Sequence, residues 1–254
     1  MQSLIGSIPK WLPVPDAYDL KARIFPALIV MMPIIPAASV QAVFHKLSTG
    51  MVGSIFALAV LYLLTRIARD QGKRIEPRLF KKWGGIPSSI LLRHANDQID
   101  DLTKNRYKKT IESLSGVKLP TSTEEQADPA KADLAYGSGI QALKEQRRDK
   151  LKYPLVFQEN CNYGFMRNLL GLKKLGLGIA VAALAIDVFS WLYIEPRPAN
   201  PIFLSLAITA GVGLYLLALG PNAVRRTADA YAMALLRTCE PNHGSVKKPR
   251  TKKP

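Results

Sequence analysis

The stretch Asn160 to Pro198, NCNYGFMRNLLGLKKLGLGIAVAALAIDVFSWLYIEPRP, decides the fold of this chain. Its first half is basic and aromatic. Its second half, Leu175 to Ile194, is apolar except for one acid, Asp187. About 20 apolar residues are what an α-helix needs to cross a hydrocarbon core roughly 30 Å thick. Three more blocks share that character: Ile24 to Phe44, Gly50 to Ala68 and Ile202 to Gly220. The charges lie between the blocks instead of alternating with them, which excludes an ordinary globular core of dispersed apolar residues. Trp191 and Tyr193 end the third block, where interfacial rings collect.

The expected fold is therefore all-α: four transmembrane helices in two hairpins, with a mainly helical cytoplasmic domain between helices 2 and 3. The boundaries read as an N-terminal segment 1–23, a first hairpin 24–68, a cytoplasmic domain 69–174, a second hairpin 175–220, and an amphipathic helix with a basic tail 221–254. The distribution of positive charge orients the whole. Lys46 and Arg197 are the only basic residues in the two short connections. Arg66 to Lys174 holds 22 Lys and Arg against 13 Asp and Glu, and eight more basic residues follow Gly220. Both termini and the middle segment face the cytoplasm on this count, in a bacterial inner membrane. The net charge of +16 suits anionic lipid headgroups and requires no nucleic acid. The residues up to Arg23 do not read as a cleaved secretory signal.

Within the first block, Pro33 and Pro36 each remove a backbone donor and should kink the helix, as a hinge or as a tolerated bend. In the third, Gly176, Ala180 and Ala183 invite close helix packing, within the chain or between copies in a homo-oligomer. Asp187 lies seven residues, or about 10 Å of helical rise, from the outer end. Antiparallel pairing brings Thr209 to a similar depth, with Ser205 nearer the outside. An intramembrane acid of this kind is a candidate for proton or ion handling.

The middle segment reads as helices. Gly84-Gly85 and Pro87 form a turn, and Ser88 or Ser89 can cap a helix whose face carries Leu92, Ala95, Ile99 and Leu102. Tyr107, Ile111 and Leu114 continue it to Gly116. Asp128 and Pro129 begin the next helix, to about Lys152, burying Tyr136, Ile140 and Leu143. A third begins after Pro154, although Leu155 to Phe157 could form a short strand. Beyond the last block, Val224, Ala228, Tyr231 and Leu235 share a face that can lie on the bilayer or pack on the middle domain.

The motifs KKWGGIPSSILLRH (Lys81 to His94) and ENCNYGFMRNLLGLKKLGLGI (Glu159 to Ile179) resemble two blocks of a family of uncharacterised bacterial multi-pass membrane proteins. There, Trp-Gly-Gly-x-Pro and Tyr-Gly-Phe-x-Arg-Asn blocks flank a cytoplasmic region between hydrophobic segments. The resemblance spans about Arg69 to Leu177 and implies no activity. Taken physically, Trp83, Arg93, Tyr163, Arg167 and Asn168 offer stacking rings, guanidinium forks and an amide for a nucleotide-like ligand or a cytoplasmic protein partner. The plainer reading packs the aromatics and places Arg167, Lys173 and Lys174 at lipid headgroups.

No phosphate loop, dinucleotide fingerprint, zinc-protease helix or nucleophile elbow occurs, and Gly137-Ser138-Gly139 follows no strand. His45, His94 and His243, and the cysteines Cys161 and Cys239, lie far apart in sequence. No catalytic residue, metal or cofactor is assigned. The expected role is a non-enzymatic sensor or effector acting on the membrane, with bacterial defence as one setting. The alternative is a small transporter or channel using Asp187. Alkaline phosphatase, which matures only outside the cytoplasm, is expected to be active when fused after Lys46 or Arg197 and inactive after Pro120 or Glu240.

Overall fold

The computed structural model describes residues 16–37, 51–193 and 199–240. The expected loops carrying Lys46 and Arg197, the block ends 38–44, Gly50 and Ile194, and the basic tail lie outside the described residues, as do His45 and His243. Every regular element among the described residues is helical. They are α1 (Ala17–Ala37), α2 (Met51–Trp83), α3 (Pro87–Leu92), α4 (Asp101–Ser115), α5 (Ser122–Ala127), α6 (Pro129–Gln146), α7 (Pro154–Tyr193), α8 (Ala199–Ala218) and α9 (Pro221–Arg237). Leu155 to Phe157, a candidate strand by sequence, is the first turn of α7, because Pro154 at the helix start needs no partner for a backbone donor.

The chain divides into two compact units: Met1–Gly72 with Asn168–Leu219, and Lys73–Arg167 with Gly220–Pro254. The unbroken helices α2 and α7 contribute to both. Among the described residues, two helices are long and apolar enough to cross a membrane, Ala17–Ala37 and Pro154–Tyr193. A third is reached if Ile202–Ala218 and Pro221–Arg237, bent at a short break, count as one span. The described residues thus hold two or three candidate spans where the sequence reading expects four. The side chains at 51–54 and 56, in the opening turns of α2, lie outside the described set.

In the first, apolar unit, α1 begins at Asp16, whose carboxylate accepts the Asp19 N–H at 2.7 Å. A π-helical turn follows at Leu20–Ile24, with Arg23 paired to Asp19. The helix is interrupted by a turn at Met32 and Pro33, where the proline removes a backbone donor, and resumes at residue 34. Pro36 lies in the resumed helix. The exposure pattern of this unit is partly inverted, although Leu169, Leu172 and Leu216 are fully buried. Leu58, Val181, Leu192 and Leu214 are about two-thirds exposed, at 66%, 66%, 61% and 67%. Asn168, Asp187, Ser190 and Ser205 are 0% exposed. Small residues allow the helices to meet: Ala180 and Ala183 are buried, and a Cβ on Gly176 would reach Leu216 at 2.7 Å. Lys173 donates to the Leu217 and Leu219 carbonyls at 3.0 and 2.7 Å, capping the end of α8.

In the second, polar unit, α2 continues through Pro77 to Trp83 and stops at Gly84 and Gly85, both at positive φ (82° and 144°). Pro87 occupies the first turn of α3, so Ile86 holds the cap position and Ser88 and Ser89 are buried inside the helix. The single face expected through Leu92, Ala95, Ile99 and Leu102 does not form. The helix ends at Leu92, Asn96 Oδ1 takes the Gln98 N–H at 3.1 Å, and Asp100 caps α4 through the Thr103 N–H at 2.8 Å. Asn and Asp compete with helix by bonding nearby backbone, and Leu102 is left 76% exposed. Gly116 closes α4 in the left-handed region (φ 68°), as expected. Thr121 and Glu124 form a capping box that makes α5 out of the expected surface loop. Asp128 and Pro129 start α6, as read from sequence, and Tyr136, Ile140 and Leu143 are buried. The helix ends at Gln146, short of Lys152, because Asp149 turns the chain by accepting the Leu151 and Lys152 N–H groups. Gly139 is the close crossing of α4 and α6, since a Cβ there would meet Ile111 at 2.5 Å.

The amphipathic face of α9 packs into this unit. Val224 and Leu235 are fully buried, and Leu235 and Leu236 join Leu92, Tyr107, Ile111 and Tyr136 in one core. Arg106 pairs with Glu240 at 3.0 Å, and Thr110 donates to the Cys239 carbonyl at 3.2 Å.

The tightest backbone approach lies in the apolar unit: a Cβ on Gly171 would stand 2.7 Å from Gly72 N and 2.8 Å from Gln71 C. Backbone cannot rotate away as a side chain can. Gly171→Ala is expected to destabilise the protein by about 1–3 kcal/mol, read as a lower thermal midpoint of helix content in detergent micelles. Ala at Gly178, which faces open space, should leave that midpoint unchanged or raise it slightly.

Candidate functional site

The residues singled out by sequence fall into separate places. In the polar unit, Tyr163 and Arg167, one helical turn apart on α7, converge on Glu76 of α2. The Tyr163 hydroxyl donates to Glu76 Oε1 at 2.6 Å and Arg167 Nη1 does so at 2.9 Å. Arg167 also lies over the Tyr163 ring, 5.4 Å from its centroid, and that ring stacks parallel to Tyr231 of α9 at 6.3 Å. Arg93 is engaged elsewhere. It forms a fork on Asp133 at 2.9 and 2.6 Å and donates to the Gly84 carbonyl at 2.7 Å. Trp83 packs on Phe80 and carries the Arg225 guanidinium 5.3 Å above its ring. Asn168 belongs to the apolar unit, where it donates to the Ala22 carbonyl at 2.6 Å. A Cβ on Gly72 would touch its Oδ1 at 2.0 Å. Of the five candidate ligand residues, only Tyr163 and Arg167 come together.

The Glu76 cluster borders a cavity of about 160 Å³. Glu76 and Phe80 of α2, Lys144 of α6, Tyr163 of α7, and Ala228, Tyr231 and Ala232 of α9 line it, along with the turn Ile86-Pro87-Ser88. The Lys144 ammonium sits 5.9 Å from the Tyr231 ring centroid. Burial pushes its pKa down, and Glu76 opposes the shift only in part. Glu76, Lys144 and Tyr231 were not picked out by sequence. One signal was available: Lys144 follows Ile140 by four residues and Tyr136 by eight, which puts a cation on the buried stripe of α6.

A second polar cluster lies in the core of this unit around His94. The His94 N–H bonds the Glu125 carboxylate at 3.1 Å, and Tyr136 donates to Glu125 Oε2 at 2.6 Å. Lys108 Nζ lies 2.7 Å from His94 Nε2 and 3.2 Å from the Tyr136 hydroxyl. Burial would raise the Glu125 pKa, but the bonds from Tyr136 and the His94 amide hold its ionised form and bring it below the ordinary value.

In the apolar unit, Ser205 donates to Asp187 Oδ2 at 2.7 Å. Ser205, one turn closer to the start of α8, therefore takes the role that depth matching gave to Thr209. Thr209 Oγ1 and Asp187 Oδ1 are buried with no hydrogen-bond partner among the described residues.

These features define an all-helical protein that joins helices able to cross a membrane to a polar helical unit with a small lined cavity. Compared with protein-family models, characterised proteins and solved structures, the chain matches none.

Burial lowers the Lys108 pKa from 10.5 to about 8, Lys104 adds to the shift, and Glu125 opposes it. Between about pH 8 and 10.5 the unfolded chain holds this proton while the folded one does not, so stability rises with pH through that window. The gain is on the order of 3 kcal/mol at full extent. Thermal unfolding followed across pH 7 to 10.5 should show it, and Lys108→Met should flatten the profile.

Proposed function

We propose that this chain is a multi-pass protein of the bacterial inner membrane, with four spans, both termini cytoplasmic, and a cytoplasmic helical unit that works as a non-enzymatic sensor or effector. The cytoplasmic unit binds a ligand or partner and acts on the membrane part, alone or as an oligomer; bacterial defence is one setting for such an activity. The observation that carries the reading is the inverted apolar unit. Large side chains such as Leu58, Val181 and Leu214 face outward and Asn168, Asp187 and Ser205 face inward, which suits hydrocarbon as the surrounding solvent. The unbroken helices α2 and α7 give the binding unit a covalent route to that region.

The alternative, a small transporter or channel, draws support from the unpartnered oxygens of Asp187 and Thr209. Proton and monovalent-cation flux into proteoliposomes separates the two. The sensor reading expects no sustained flux in the resting protein, and the same unfolding behaviour in Asp187→Asn apart from a modest stability change. Sustained flux that Asp187→Asn abolishes would establish transport instead.

A further inference from the structure

The cavity beside Glu76 has an unbalanced charge. Glu76 is neutralised by Arg167 at 2.9 Å, and that pair is largely shielded, with side chains 25% and 10% exposed. Lys144 lines the same cavity and makes neither an ion pair nor a hydrogen bond among the described residues; its ammonium lies over the Tyr231 ring, 5.9 Å from the centroid, and Glu76 acts on it only at longer range. A half-buried ammonium without an acceptor is costly. One negative charge placed in the cavity would remove that cost.

The remaining walls are mostly apolar. Phe80, Ile86, Pro87, Ala228 and Ala232 surround the two stacked tyrosines, and Ser88 adds one hydroxyl. The volume, about 160 Å³, is close to that of a ~150 Å³ cavity known to hold one benzene ring. It is below the ~300–1,000 Å³ of sites for drug-sized ligands. A nucleotide does not fit these limits. A phosphate presents several strong acceptors and up to two charges, against one uncompensated cation.

We propose that this cavity binds a small carboxylate with a single ring or a branched apolar body, its anionic oxygens on Lys144 and its body against Tyr231 and Phe80. This deepens the sensor reading by giving the class of ligand. It makes Lys144 the specificity-determining residue, while Arg167 holds Glu76 out of competition for the cation.

The test uses the full chain in detergent micelles, with titration calorimetry against benzoate, benzyl alcohol and inorganic phosphate. Saturable benzoate binding is expected, with benzyl alcohol at least tenfold weaker and phosphate weaker still. Lys144→Met should weaken benzoate at least tenfold, and Lys144→Arg should retain most of the affinity. The proposal is overturned if benzoate does not bind at millimolar concentration, if the alcohol or phosphate binds as well, or if Lys144→Met binds benzoate like the parent. Should Lys144→Met fail to fold by circular dichroism, the comparison of benzoate with benzyl alcohol on the parent chain decides alone. Loss of the site leaves the sensor reading standing, because that reading falls only to sustained solute flux.

Discussion

In the apolar unit, polar and small groups such as Asp187, Ser205 and Ala180 are buried beside leucines such as Leu172 and Leu216, while many other leucines, valines and aromatics face outward. In water this arrangement would expose large apolar side chains and desolvate amides and carboxylates, a loss on both counts. In hydrocarbon the outward side chains cost nothing, and the inward polar groups need only find one another. Asn168 on the Ala22 carbonyl, Ser205 on Asp187 and Lys173 on the end of α8 are such pairings. Helix contact then relies on van der Waals closeness, and closeness requires small residues. Gly72, Gly171 and Gly176 each sit where a methyl group would collide with the neighbouring helix.

The polar unit follows the opposite logic, that of a protein in water. Its core is aromatic and aliphatic, and a segment distant in sequence completes it. Without α9, Leu92, Tyr107 and Tyr136 would lose the cover of Leu235 and Leu236. The helix Pro221–Arg237 is thus part of the unit's architecture. Helices from four parts of the chain converge to form the small cavity, which is why its lining comes from residues as distant in sequence as Glu76 and Tyr231. The half-buried carboxylates of this unit follow the same economy: Glu76 with Tyr163 and Arg167, and Glu125 with Tyr136 and His94, are each held by at least two donors.

Local chemistry was legible along much of the polar unit. Gly116 ends a helix because only a residue tolerant of positive φ can turn there, and Asp128 with Pro129 starts one because the first turn needs an acceptor and no donor. Where two local signals compete, reading by period alone failed. The apolar spacing through Leu92 and Leu102 suggested one helix, while Asn96 and Asp100 held backbone bonds that break it.

The sequence by itself determined the helical class, the apolar blocks, the turns at Gly84-Gly85 and Gly116, and the buried stripe of α6. Each of these depends on neighbours within one or two helical turns. Tertiary structure alone decided that Arg93 belongs to Asp133, that Asn168 serves a different unit from Arg167 beside it, and that Lys144 faces a cavity with no ion pair of its own among the described residues. Those outcomes are matters of which groups meet across 40 to 146 residues of chain. Period and composition place a residue on a face, and only packing supplies its partner.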